Sequence, residues 1–293
     1  MLFVFINGEY QADQSNPEVL RDCFRAEPNT FDLNIPKGFN NQPIIRIQHI
    51  TDKENTIQFR QAITVEENSE AAIVITHRGE DKIAYENHIE TQLYLKQNAK
   101  LKYYKWQCEG NASMHADQLA AKQDSDSYLS TYHVMTGAAE SNDYLEYVLS
   151  GEAAHCESFG FYRAGQKQQI KIQSRMHHQK SQTHSRQLYK GISDDQAAAA
   201  FFGKIIVEKN IKAIIAHQKN NNLLLSSKAR ADTKPELEIY SDDVQCTHGA
   251  TVGQLDEKAL FYLQSRGIAE QDAKRLLTDA FVNEILDMMP NVE

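Results

Sequence analysis

Between about residues 42 and 240 apolar and polar residues alternate in short runs, and that alternation decides most of what this chain can become. In TIQFRQAITV, residues Ile57, Phe59, Ile63 and Val65 share one face, with only Gln61 interrupting. In HIETQLYLK the same face carries Ile89, Thr91, Leu93 and Leu95; DYLEYVLS gives Leu145, Tyr147 and Leu149, and QQIKIQS gives Ile170 and Ile172. Successive side chains on a strand point to opposite faces, so each run buries one side and wets the other. Asn55, Asn68, Asn98, Gly110, Gly151, Asn210 and the triplet Asn220-Asn221-Asn222 read as turns between strands.

Many short half-buried strands fit either a sandwich or barrel, or a solenoid of stacked coils. No strict repeat period emerges, which counts against a regular hexapeptide-type β-helix; an irregular one stays open beside the sandwich. The segment DDQAAAAFFGKII carries four alanines that favour helix locally, yet Gly203 and the run Ile205-Ile206-Val207 predict a strand. The opening MLFVFINGEY reads as a strand entering a turn at Asn7-Gly8, not as a signal peptide.

Charge and cysteine usage narrow the function classes. Lys plus Arg total 31 against 40 Asp plus Glu, a net charge of −9, and no basic stripe appears. Nucleic acid is therefore not an expected partner. No apolar run approaches the about 18 residues a membrane helix needs, so no membrane span is expected. Cys23, Cys108, Cys156 and Cys246 are scattered with no CxxC, which supports neither a disulfide framework nor a self-contained zinc or iron–sulfur motif. A reduced, cytoplasmic setting fits. There is no GxxxxGK[ST] run, so nucleotide chemistry would belong to a partner.

After Val252 the spacing changes to helical. A short helix starting near the N-cap Asp256 sets Leu260, Phe261 and Leu263 on one side, and Gly267 is placed to end it. A second helix carries Ala273, Leu276, Leu277, Ala280, Phe281, Ile285 and Met288 at i, i+3, i+4 spacing. Ala269 is a poor cap for it. The stripe suits packing against the end of the strand body or docking into a partner's groove.

At the junction Cys246 and His248 stand two apart. On an extended segment they project to one face with Cα atoms about 6–7 Å apart. Thiolate and imidazole suit iron, zinc or a nascent cluster, with bonds of about 2.0–2.3 Å, but a tetrahedral site needs about two more ligands. Asp242 and Asp243 are the nearest candidates and are hard donors. The bland reading is a buried thiol beside a hydrogen-bonded imidazole. His177, His178 and His184, in RMHHQKSQTH, read as an exposed polar loop. Asp242-Asp243 as an acid/base pair would suit a β-helix enzyme acting on polysaccharide, but neighbours on a strand face opposite ways. Lys228, Arg230, Asp232 and Lys234 beside Pro235 read as a mixed-charge strand edge or a subunit seam.

From SQTHSRQLYKGI through NNNLLLSSKARADTKPELEIYSDDVQCTHGATVGQLDEKALFYLQSRGI the residues resemble the SufB/SufD family of iron–sulfur assembly proteins. The likeness runs from about Ser181 to the end. His248-Gly249 followed by ATVGQLD is similar to the SufD type, since SufB-type chains carry a glutamate after the histidine and often a cysteine-rich motif nearer the N-terminus. The resemblance implies a mainly β fold, a right-handed parallel β-helix with a small C-terminal α-helical region. It implies a lead-in over 1–41, a β-helix core over 42–250 and a helical partner-docking region over 251–293. Family members usually begin with a helical region, whereas FVFINGEY starts almost at the β-helix. The implied role is that of a non-catalytic scaffold pairing with a SufB-like chain. The family implies docking of a SufC-like ABC ATPase through the C-terminal helices, with Leu260, Phe261, Tyr262, Leu263 and Arg266 as the docking residues. Cys246 and His248 then become ligands at the heterodimer interface, where an iron–sulfur cluster forms transiently; the chain alone holds no cofactor stably. A β-helix polysaccharide enzyme and a stand-alone homodimer are the alternatives.

Overall fold

The computed structural model describes residues 1–40 and 43–290. The expected boundary between 41 and 42 lies outside the described residues. The chain opens with a hairpin, β1 (Leu2–Ile6) and β2 (Glu9–Tyr10), then a second antiparallel pair, β3 (Phe24–Glu27) and β4 (Thr30–Ile35). Strands follow as β5 (Ile45–Thr51), β6 (Thr56–Val65), β7 (Glu70–Gly79), β8 (Glu86–Leu95) and β9 (Lys100–Glu109). Next come β10 (Met114–Gln123), β11 (Tyr128–Gly137), β12 (Glu140–Leu149), β13 (His155–Ala164) and β14 (Gln169–His178). The series closes with β15 (His184–Ser193), β16 (Ala198–Val207), β17 (Ile214–Leu224), β18 (Arg230–Ile239) and β19 (Val244–Gly253). Two helices end it, α1 (Glu257–Ser265) and α2 (Glu270–Leu286).

Each strand from β5 onward pairs in parallel with the strand two places later, so odd and even strands build separate sheets. The result is a parallel β-solenoid of about 8 turns. Neighbouring coils are offset by 30 residues at Thr56–Glu86, 26 at Met114–Glu140 and 32 at Ala198–Arg230, which is why no fixed period was visible in the sequence. In-register stacking places like against like: Ile63, Leu93, Ala121, Tyr147, Met176 and Ile205 form one interior column. All six are buried, as the alternation predicts. The alanine-rich segment is β16, because the stacked interior rewards a strand more than local propensity rewards a helix.

Turns confirm part of the punctuation. Asn7 and Gly8 sit at φ 50° and 84°, the left-handed pair of a tight hairpin turn. Asn68 and Asn98 occupy left-handed positions in successive coils and are tied by an Asn98 Nδ2 to Asn68 Oδ1 bond of 2.7 Å. The triplet Asn220-Asn221-Asn222 is a correction: it lies inside β17. Asn220 and Asn222 face the interior, where Asn222 donates to Asn220 Oδ1 at 2.7 Å and Tyr162 donates to Asn222 Oδ1 at 2.6 Å. Their amides are satisfied by buried partners, so no turn is needed.

The two sheets differ outside. On the even sheet exposure alternates cleanly, as in β6 and β12. On the odd sheet the middles of β11, β13 and β15 are buried on both faces, because an outer apolar stripe runs along it. Tyr104, Tyr132 and Phe159 stack ring on ring there, at 4.7 and 5.2 Å. The stripe also takes Val282 and Ile285 of α2.

Candidate functional site: the last coil and the helices beside it

β18 and β19 are the last strands of their sheets, each paired on one side only. Register continues the interior columns onto β19: Cys156, Ser185 and Ala216 lead to Cys246, and Ser158, Gln187 and Gln218 lead to His248. The inner members are buried because another coil lies over them. Cys246 is half-buried and packs on the end of the core, and burial pushes its thiol pKa up. His248 is exposed and makes no side-chain hydrogen bond among the described residues. Strand geometry thus sets both side chains on the lumen-facing side of an unfinished coil, as their i, i+2 spacing predicts.

Backbone directions along this edge follow from two bonds. Ile215 N donates to Thr183 O at 3.2 Å, and Ile214 N donates to Asp243 O at 3.2 Å. Bonding direction alternates along a parallel strand, so Gln245, Thr247 and Gly249 bond to β17, while Cys246, His248 and Ala250 turn their amides to the open side. On β18, Arg230 N donates to Ala197 O at 3.0 Å, so the odd residues face outward. Pro235 is among them and has no N–H to offer a further strand. The open edge is unbroken on β19 and interrupted on β18.

Asp242 and Asp243 do not join Cys246 and His248. Asp243 Oδ2 accepts from Ala213 N at 3.1 Å, so it finishes the turn of the preceding coil. Among the described residues no group of three or more His, Cys, Asp or Glu side chains is disposed to hold a metal ion. The expected exposed histidine loop is a second correction. His177 and His178 end β14 and His184 begins β15. His178 is buried, its ring nitrogens 2.8 Å from Thr183 Oγ1 and Ser185 Oγ, and burial holds its pKa down to about 3. His177, on the outward parity, lies 2.8 Å from Glu208. Strand alternation, invisible in a polar run, separates the two neighbours.

The helices meet some of the sequence expectations. Asp256 caps α1, accepting from Lys258 N at 2.8 Å and Ala259 N at 3.4 Å. Gly267 follows at φ 86°, and Ala269 gives α2 no side-chain cap. α1 buries no residue: Phe261 is 71% exposed and Tyr262 57%, Leu260 and Leu263 are half-buried, and the Arg266 guanidinium lies over the Tyr262 ring. In α2 the buried face is Ala273, Thr278, Val282 and Ile285, whereas Leu276 and, just past the helix end, Met288 are exposed. The expected stripe is rotated because α2 lies on the outer face of the odd sheet, against β13 and β15. Lys190 of β15 fastens it there, donating to Phe281 O at 2.8 Å and pairing with Glu284 at 2.6 Å.

Sequence reading missed the charged lumen. Lys105 is fully buried between Asp117 and Asp143, the latter at 3.0 Å. Burial works against its charge, but the two carboxylates more than offset that and leave its pKa raised; burial pushes Asp143 up. His115 Nδ1 lies 2.8 Å from Glu109; His77 stacks on His49 at 4.8 Å and meets His115 edge to face at 5.0 Å. The signal was available: Lys105, Gln107, His115 and Asp117 all fall on the interior parity of their strands, where an apolar residue is the rule. No helix among the described residues is long and apolar enough to cross a membrane.

Comparison with known proteins agrees with this architecture. Residues 48–281 match the family model for the SufBD core domain of the SUF system of FeS cluster assembly. A SufBD family iron–sulfur cluster assembly protein of Synechocystis sp. is 35% identical over 243 residues, which cover 80% of this chain and 53% of the relative. The iron–sulfur cluster assembly protein SufD of Escherichia coli is 30% identical over 264 residues, 88% of this chain and 62% of the relative. The chloroplastic protein ABCI7 of Arabidopsis thaliana is 31% identical over 236 residues, 80% of this chain and 50% of the relative. The chain thus spans between half and two-thirds of the length of these relatives. With a β-solenoid matched almost from end to end, it belongs to the SufBD core family of the SUF iron–sulfur cluster assembly system.

Proposed function

We propose that this chain is a SufD-type, non-catalytic scaffold subunit of cytoplasmic iron–sulfur cluster assembly. It pairs through its open last coil with a SufB-like chain, and its C-terminal helices dock a SufC-like ABC ATPase. The observation that carries this reading is incompleteness at the last coil: Cys246 and His248 face an uncovered lumen end, and no third ligand among the described residues joins them. A second chain stacked on that coil would cover the half-buried thiol and supply the remaining donors. The cluster is cargo in this scheme, held transiently between subunits, and the chain alone keeps no cofactor. Two further features support partner binding: the unbroken β19 edge, which offers amides to an added strand, and the exposed Phe261 and Tyr262 on α1. Movement of the docked ATPases would reach the interface through α1, which joins β19 across Gln254–Asp256.

Co-expression with a SufB-like and a SufC-like chain tests the reading. A stable ternary complex is expected. The variant Cys246→Ala/His248→Ala should enter that complex normally and lower cluster yield, followed by visible absorbance, at least about tenfold, the lower end of what losing even an outer-shell partner costs a metal site. Unchanged cluster yield in the double variant overturns the ligand assignment. Recovery of the chain solely as a homodimer overturns the heteromeric one.

A further inference from the structure

The C-terminal region divides into a part that is fastened and a part that is not. α2 rests on the outer stripe of the odd sheet through Val282 and Ile285, both buried, with Phe281, Leu286 and Met289 packed beside them. Within that apolar contact stands a buried cation, and two further ones, Arg186 and Lys219, lie near enough to act on Glu284. Lys190 has 8% of its side chain exposed, and among the described residues its bonding partners belong to α2: the Phe281 carbonyl, the Glu284 carboxylate and the Phe281 ring at 5.0 Å. The side-chain bond from Lys190 holds the Glu284 carboxyl below its ordinary range. A buried ammonium with its donors satisfied costs little while α2 stays, and fixes where along the sheet the helix sits.

α1 has none of this. It buries no residue, and its main packing is against α2. It is bounded by Gly253 and Gly267, around both of which a side chain would meet open space, and Gly267 holds φ 86°. Beneath it an open cavity of about 620 Å³ separates α1 and the first turns of α2 from the ends of β13 and β17, with Arg163, Leu225, Leu260, Lys274 and Arg275 on its walls. Three residues, Gln254–Asp256, connect α1 to the strand carrying Cys246 and His248.

We propose that α1 is a hinged arm and α2 its bolt, with Lys190 as the positioning residue that keeps the bolt closed. Partner force on α1 then swings the arm into or away from the cavity about Gly267, and the displacement is delivered to β19, because α2 cannot follow. β19 yields more readily than β5 to β17 of its sheet, having one neighbour where each of those has two. This rests on the reading of α1 as the docking element and of β19 as the ligand-bearing edge. The bolt itself is a property of the chain alone.

Hydrogen exchange on the full chain, without any partner, tests it. α1 amides should exchange at least tenfold faster than those of α2 in the native chain. Lys190→Met should bring α2 to the rate of α1, while β13 and β15 keep their protection. Lys190→Arg, which retains a donor and a charge, should restore α2 to within about threefold of native, a rescue that loss of packing volume would not give. Equal protection of α1 and α2 in the native chain overturns the arm, and an unchanged α2 in Lys190→Met overturns the bolt. Neither outcome depends on whether an ATPase docks on α1, so failure here is separable from failure of the proposed function.

Discussion

The two ends of the solenoid face the same hazard and treat it differently. At the N-terminal end the first coil is closed by antiparallel pairs, β1 with β2 and β3 with β4, and by the 3₁₀ turn Glu18–Leu20. Leu20 and Phe31 are fully buried there; Phe3 packs edge to face on Phe24 at 5.0 Å and Phe5 on Phe31 at 5.2 Å, while Phe24 and Phe31 lie tilted at 6.1 Å. At the C-terminal end nothing comparable among the described residues covers β18 and β19: Val252 is 45% exposed and Ile239 36%, although both stand on columns that are buried further in. A stack of coils needs a cap wherever it ends in water. One end carries its own, and the other has the shape of a surface awaiting one.

The largest expected effect tests that contrast directly. Phe31→Ala should cost about 3–5 kcal/mol in urea unfolding, because it empties a closed core. The matched truncation Val252→Ala at the open end should stay within about 0.5 kcal/mol. Comparable losses would mean that the last coil is as tightly packed as the first.

Protonation sharpens the comparison next. Burial holds His49, near the capped end, down to about 4, against an ordinary value of 6.5. The unfolded chain therefore binds the proton first, and His49 withdraws stability as pH falls from 6.5 towards 4, at about 1.4 kcal/mol per pH unit. His133 and His178, both held to about 3, act in the same direction, and Asp143 in the opposite one. In His49→Phe the unfolding free energy measured from pH 7 to pH 5 should lose that much of its slope; an unaltered slope would show that His49 takes up its proton in the native state.

The smallest effect concerns the arm. Asp256→Ala removes two bonds to the first turn of α1 and should lower its helicity by the equivalent of about 1 kcal/mol, read as faster amide exchange over 257–265. Unchanged exchange there would show that α1 is held by tertiary contacts instead.

Much of this was legible before any coordinates. Period-two alternation marked Ile57, Phe59, Leu93 and Tyr147 as interior, and the i, i+2 spacing set Cys246 and His248 on one face. The Asp256 cap and the Gly267 stop were readable because capping is a local interaction among neighbours. The lumen charges were not, because Lys105, Asp117 and Asp143 are 12 or more residues apart and meet only through coil stacking. His178 and the Asn220–Asn222 triplet were misread for a related reason: a polar residue looks like a turn until its buried partner is known.

Sequence by itself determined that the chain is a series of half-buried strands followed by two helices, since alternation, capping and turn chemistry act over a few residues. Only the tertiary structure decided which polar groups are interior, where α2 lies, and that the coil bearing Cys246 and His248 is the uncovered one. Those properties arise from contacts between distant residues, about 30 positions apart from coil to coil and 91 apart between Lys190 and Phe281, and the coil offset varies, so no local pattern could encode them.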